Sequence, residues 1–209
     1  MNENQHLMDF LPPFSNFRNE ASGTITSYRI NQSQIENTER PALVFLHGFN
    51  GSSKSWACQF AHFTGQTVIA IDAPGFGESQ PVDGGMVAIA DEVAALIASL
   101  VTGKVVIIGH SMGGMLAQVL GATHPDICQA IILSCTHKGR AQPVGSPLGA
   151  AVQERIQQRE VMDDASYGAL RVSKMLSGKI DPQIRAFLAA VAGEIRVEGI
   201  RCGGFAMQY

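Results

Sequence analysis

The chain has 209 residues, 45% of them hydrophobic and 16% charged, with a formal net charge of −3. That length suits one well-buried domain with a small appendage. The lysines and arginines are scattered, with no basic run, so neither nucleic acid nor an anionic membrane surface is an expected partner.

The opening MNENQHLMDF is polar and acidic and does not read as a signal peptide. Residues 1–20, broken by Pro12-Pro13, read as a loose N-terminal arm. The β-branched stretch 23–30, GTITSYRI, predicts a strand, and the polar stretch 31–40 a turn or loop. Four short apolar runs follow: 42–46 ending at His47-Gly48, 66–71 ending at Asp72, 104–108 ending at Gly109, and 129–133. Unbroken runs of this length predict strands buried on both faces of a parallel sheet. Helical patterns fill the gaps at 86–101 and 112–123, so strands and helices alternate. After His137 the texture changes. A Gly- and Pro-rich stretch leads into helical patterns at 147–160, 163–176 and 182–200, the last opened by Asp181-Pro182 as N-cap and first-turn proline. The expected fold class is α/β, with a mostly parallel central sheet flanked by helices over residues 21–138 and a helical cap over 139–209.

No run of 18 or more apolar residues predicts a membrane span. Cys58, Cys128, Cys135 and Cys202 form no CxxC pair and no zinc-finger spacing. Free thiols, a cytoplasmic location, no metal and no cofactor are the expectations.

The chemistry concentrates at Gly109-His110-Ser111-Met112-Gly113. This GxSxG follows the run VVII and precedes a helix, the strand–turn–helix setting of a nucleophile elbow. Ser111 is then the nucleophile. The helix N-terminus beneath it favours developing negative charge, and Gly109, Gly113 and Gly114 leave room for neighbouring chain. His47-Gly48-Phe49 follows LVFL, where such enzymes place a second oxyanion donor. The backbone N–H groups of Phe49 and Met112 are the expected oxyanion hole, with His47 and Gly48 as loop support. Asp72 opens the loop DAPGFGES and reads as a loop-fixing carboxylate rather than a catalytic acid. Asp163 and Asp164 read as a helix start, Glu194 and Glu198 as one solvated helix face, and Trp56 and Phe60 as core.

Together, HGF, DxPGxGxS and GHSMGG resemble the α/β-hydrolase family over about residues 22–137, in the family's order. The branch most similar comprises small esterases and enol-lactonases, with hydrolases of carbon–carbon bonds close by. The resemblance implies a serine hydrolase acting on a small ester or lactone through an acyl-enzyme intermediate, needing no cofactor, with the cap shaping specificity. It also implies that the acid and the histidine of the triad follow later strands. The 209 residues stop before those places, so a C-terminally truncated chain with impaired turnover is expected. His137 is the histidine best placed to substitute as base. Two alternatives stand: a carbon–carbon bond hydrolase on the same fold, and an inactive remnant that binds a small ligand. Self-association through an exposed sheet edge at 129–133 is a further expectation.

Overall fold

A computed structural model of the chain describes residues 5–32, 40–143 and 145–208. Six strands form one mixed sheet: β1 Phe14–Arg18, β2 Ile25–Asn31, β3 Leu43–Leu46, β4 Val68–Ile71, β5 Val105–His110 and β6 Cys128–Ser134, in the order β1-β2-β4-β3-β5-β6. β1 and β2 pair antiparallel, and β2 lies antiparallel to β4; β4, β3, β5 and β6 run parallel. Consecutive parallel strands need crossovers, and helices supply them. A short helix α1 (Gln5–Met8) precedes the sheet; α2 (Ala57–His62), α3 (Gly85–Leu100) and α4 (Met112–Thr123) flank it.

The two-residue alternation of a strand sorts the core into two layers. Val44, Leu46, Ile69 and Ile71 face α3 and α4, packing with Ile89, Val93, Leu116 and Leu120. Phe45, Val68 and Ala70 point the other way, against Phe60 and Trp56. Each such large side chain contributes roughly 1.5–3 kcal/mol by leaving water. Trp56 stacks on Phe45 at a centroid distance of 4.8 Å.

Four further helices follow β6: α5 (Ala150–Val161), α6 (Asp164–Met175), α7 (Pro182–Gly193) and α8 (Val197–Ala206). α6 packs on α7, and α5 on α8, which also rests on α3. Asp163 caps α6 through the Ser166 N–H at 2.8 Å, as a helix-start carboxylate should. Asp181 caps α7, with Pro182 in its first turn.

Four expectations need correction. The arm 1–20 is not loose throughout, because residues 14–18 pair with β2 as an edge strand; residues 1–4 lie outside the described residues, as does 33–39 of the loop expected at 31–40. The helix expected over 182–200 is two helices. Arg159 Nε donates to the Ile195 carbonyl at 2.6 Å, and Arg196, within the break itself, donates to the Ser79 carbonyl at 2.6 Å, so contacts with the rest of the fold hold the chain open between α7 and α8. Glu194 and Glu198 therefore do not share a helix: Glu194 ends α7 and pairs with Lys54 at 2.6 Å, while Glu198 lies in the first turn of α8. Finally, β6 is not buried on both faces. It is an edge strand, as the exposed edge expected at 129–133 requires, but its faces are open too, with Ile132 at 54% and Leu133 at 47% exposure.

An apolar, uncharged edge offers unpaired N–H and C=O groups to another chain. Concentration-dependent self-association through β6 is the expected outcome, read by size-exclusion chromatography alongside hydrogen exchange of residues 129–133. A monomer at all concentrations with strongly protected amides there would contradict it.

Candidate active site

The loops that carry the sequence motifs gather at the carboxyl ends of β3, β4, β5 and β6. Ser111 joins β5 to α4 with φ 52° and ψ −114°, a conformation that L-residues avoid. Holding a non-glycine residue there costs about 1–3 kcal/mol. Neighbours on both sides impose it. The Ser111 N–H donates to the Ser134 carbonyl at 2.9 Å, and the Thr136 hydroxyl donates to the Ser111 carbonyl at 2.7 Å. Although Ser111 stands at the N-cap of α4, its side chain makes no capping hydrogen bond. The hydroxyl that most helices would use on their own first turn is left for other chemistry.

The glycines of the elbow are required by close approach. A Cβ on Gly113 would overlap the Leu46 carbonyl, and one on Gly114 would sit 2.6 Å from the Thr136 Cβ. The start of α4 thus meets the end of β3 backbone against backbone and packs on the Thr136 side chain after β6. Gly48 is part of the same junction: a Cβ there would be 2.8 Å from His110 Nδ1 and 3.3 Å from the Ser111 Cβ. The chain from His47 to Phe49 therefore borders Ser111 directly. Neither the Phe49 nor the Met112 N–H has a hydrogen-bond acceptor among the described residues. Both residues are buried, at 7% and 2% exposure. Two free N–H groups flanking a serine are the elements of an anion-stabilising pocket.

α8 packs against both of these residues. At Gly203 an added Cβ would be 2.8 Å from the Phe76 ring, 2.9 Å from the Met112 sulfur and 2.9 Å from the Phe49 ring. This helix thus lies directly on Phe49 and Met112.

His47 is fully engaged. Its Nδ1 donates to the Gly48 carbonyl at 2.8 Å, and its Nε2 accepts the Ala73 N–H at 3.0 Å, which makes it the neutral Nδ1–H tautomer. Burial pushes its pKa below the ordinary value, against the opposing pull of the Gly48 carbonyl and Asp72. Asp72 likewise faces away from Ser111: its carboxylate accepts the Ser27 hydroxyl at 2.6 Å and the Ser53 N–H at 2.5 Å. Both residues tie the loops after β3 and β4 to the sheet.

The remaining histidines do not supply Ser111 with a base among the described residues. His124 pairs with Asp91 at 2.8 Å, beyond the far end of α4. His137, the expected substitute, uses its Nδ1 to accept the Gly139 N–H at 3.1 Å and makes no contact with Ser111. Burial lowers the pKa of His110, whose ring lies against Gly48. No group of three or more His, Cys, Asp or Glu side chains suited to a metal occurs among the described residues, and no described helix is long and apolar enough to cross a membrane.

Sequence reasoning missed the residues of α5 and α6 that pack against Phe49. The Arg155 guanidinium lies over the Phe49 ring, 4.9 Å from its centroid, and donates to Asn50 Oδ1 at 3.2 Å. Behind it sit Tyr167 and Arg171, both buried. The signal available was the i, i+4 spacing of Arg155 with Arg159 and of Tyr167 with Arg171, which places each pair on one helix face.

A family model described as the alpha/beta hydrolase fold matches residues 41–187. Among curated proteins, the chain is 30% identical over 154 residues to the sn-1-specific diacylglycerol lipase ABHD11 of Mus musculus, covering 71% of this chain and 50% of that protein. It is 34% identical over 103 residues to the 2-succinyl-6-hydroxy-2,4-cyclohexadiene-1-carboxylate synthase of Enterobacter sp. (strain 638), covering 47% of this chain and 39% of the synthase. The chain thus spans half the length, or less, of these curated relatives. Among solved structures, the enol-lactonase of Burkholderia xenovorans LB400 superposes with a TM-score of 0.75 at 20% identity, over 92% of this chain and 73% of that one. The esterase EaEST of Exiguobacterium antarcticum gives 0.75 at 19% identity, over 93% and 73%. At such identities these two establish likeness of fold.

The state of His47 sets a pH dependence. Its folded pKa lies below its unfolded value of about 6.5, so the unfolded chain binds the extra proton first. The stability it contributes is complete above about pH 6.5 and is lost as pH falls toward the folded pKa. The melting temperature should therefore drop between pH 7.5 and 5, and His47→Gln should lower it at pH 7.5 while flattening that drop. His110 shifts in the same direction, so the change in slope on substitution is the informative reading. An unchanged slope in the variant would show that His47 is not the group responsible.

Proposed function

The chain belongs to the α/β-hydrolase fold family, and from that premise we propose that it is a serine hydrolase acting on a small ester or lactone through an acyl-enzyme intermediate. Lipase, esterase and enol-lactonase relatives support the hydrolase class. The observation that carries the reading is Ser111, held at positive φ with its hydroxyl uncommitted between two unpaired N–H groups.

In this reading the Ser111 Oγ attacks the acyl carbon, and the carbonyl oxygen becomes the oxyanion. The N–H groups of Phe49 and Met112 donate to it, assisted by the positive end of α4. The alcohol or enol leaves, and water releases the acid from the serine ester. α8 and the rings of Phe49 and Phe76 cover the acyl group and exclude bulk water. Proton transfer from Ser111 calls for a base. In the family that base is a histidine following the cap, oriented by an acid, and full turnover in this reading requires such a pair.

The 209-residue chain is accordingly expected to acylate slowly. With p-nitrophenyl acetate, modification should be confined to Ser111 by peptide mass. Its rate should exceed the reaction in water by no more than about 10³–10⁴-fold, the residue left by an oxyanion hole without its triad, and Ser111→Ala should abolish it. Acylation at another residue, or an unchanged rate in Ser111→Ala, would reject Ser111 as nucleophile and favour an inactive binding scaffold.

A further inference from the structure

α5 and α6 carry two guanidinium groups, Arg155 and Arg171, that form no ion pair with a carboxylate of the described residues. Arg171 is 3% exposed; one terminal nitrogen donates to Gln158 Oε1 at 2.7 Å, and its Nε has no partner. Tyr167 is completely buried, and its hydroxyl also has no partner. Arg171 stands over the Tyr167 ring at 5.2 Å from the centroid. Arg155 lies on the adjoining helix face, stacked on Phe49. The nearby carboxylates are already used: Asp164 holds Arg159 at 2.6 Å, and Glu154 is turned outward to Lys174 and Gln158.

Burying a guanidinium without a counter-charge is costly, and the cost rises when a second one sits beside it. Desolvation, with the neighbouring Arg171, pushes the pKa of Arg155 below its ordinary value, against the weaker opposing pull of Tyr167 and Glu154. Natural cores avoid such pairs unless something repays them, and an anion does so best. A planar carboxylate matches the guanidinium fork with two parallel hydrogen bonds. The Tyr167 hydroxyl and the Arg171 Nε are spare donors of the kind that a carboxylate oxygen satisfies.

We propose that Arg155 and Arg171, with the Tyr167 hydroxyl, form a carboxylate-binding site in the cap, and that the substrate is an ester or lactone bearing a free carboxylate. This rests on the serine hydrolase reading for its catalytic half. Arg155 links the two halves, because its guanidinium covers the ring of the residue whose N–H flanks Ser111. A substrate whose carboxylate sits on Arg155 places its acyl carbon within a short chain's reach of the oxyanion donors. Neutral esters of the same length leave both arginines unpaired and lose that anchorage.

The test is binding, which needs no turnover. Isothermal titration of the chain at fixed ionic strength would use succinate, with succinamide as the uncharged isostere and inorganic phosphate as the competing anion. Saturable 1:1 binding of succinate is expected, with none of succinamide and weaker binding of phosphate. Arg155→Gln should weaken succinate at least about tenfold, in line with the loss of a charge-assisted hydrogen bond. Arg155→Lys should fall between, keeping the charge but losing the fork. Circular dichroism establishes that each variant folds. Were Arg155→Gln not to fold, the contrast between succinate and succinamide on the unaltered chain still decides. Equal binding of succinate and succinamide, tighter binding of phosphate, or undiminished affinity in a folded Arg155→Gln would each overturn the site. Succinate binding without acylation of Ser111 would reject the hydrolase reading alone; acylation of Ser111 without succinate binding would reject the carboxylate site alone.

Discussion

Everything at the candidate site depends on one backbone conformation. Ser111 turns the chain from β5 into α4 at positive φ, and that turn keeps its hydroxyl off the helix it begins. The strain is of the order of 1–3 kcal/mol and is offset by hydrogen bonds to Ser134 and Thr136 on the neighbouring strand and its extension. Gly113 and Gly114 allow those neighbours to close in. The sheet can be viewed as a frame that holds this single residue out of its preferred state. His47 and Asp72 serve the same end one strand further on, spending their polar atoms on loop geometry rather than on Ser111.

The cap adds a second constraint of opposite character. The loops around Ser111 are fixed by the hydrogen bonds of His47, Asp72, Ser134 and Thr136, whereas α6 leaves donors unpaired at Arg171 and Tyr167. Buried polar groups without partners are rare in native proteins, because each costs the desolvation of the group. Strain at the elbow and unpaired donors in the cap meet at Phe49, whose ring carries Arg155 and whose N–H borders Ser111. In this view specificity and chemistry are joined through one side chain.

Much of the framework was legible in the sequence, for physical reasons. The runs at 42–46, 66–71 and 104–108 are strands because an unbroken apolar segment of that length has nowhere to go but a buried sheet, and the helix expected over 112–123 has those same bounds. The elbow was legible because glycine spacing around a serine records backbone proximity. β1 was not: Phe14–Arg18 alternates weakly, is largely exposed, and is a strand only because β2 offers it an edge. The break between α7 and α8 carries only one weak local signal, Gly193 at the end of α7, and is fixed by Arg159 and Arg196 reaching across the fold. The edge position of β6 was legible in the sequence, but the exposure of its faces was not, because its composition is that of a core strand. The arginine cluster was invisible for the same reason, since helix periodicity fixes a face but not what that face meets.

The most direct measurement of the central claim is a crystal structure of this chain with an anion soaked into the site. The account expects Ser111 at positive φ with its Oγ off the helix, and one anion oxygen lying about 2.7–3.1 Å from both the Phe49 and Met112 nitrogens. Ser111 in an ordinary extended conformation capping α4, or either N–H bonded to the protein itself, would contradict it.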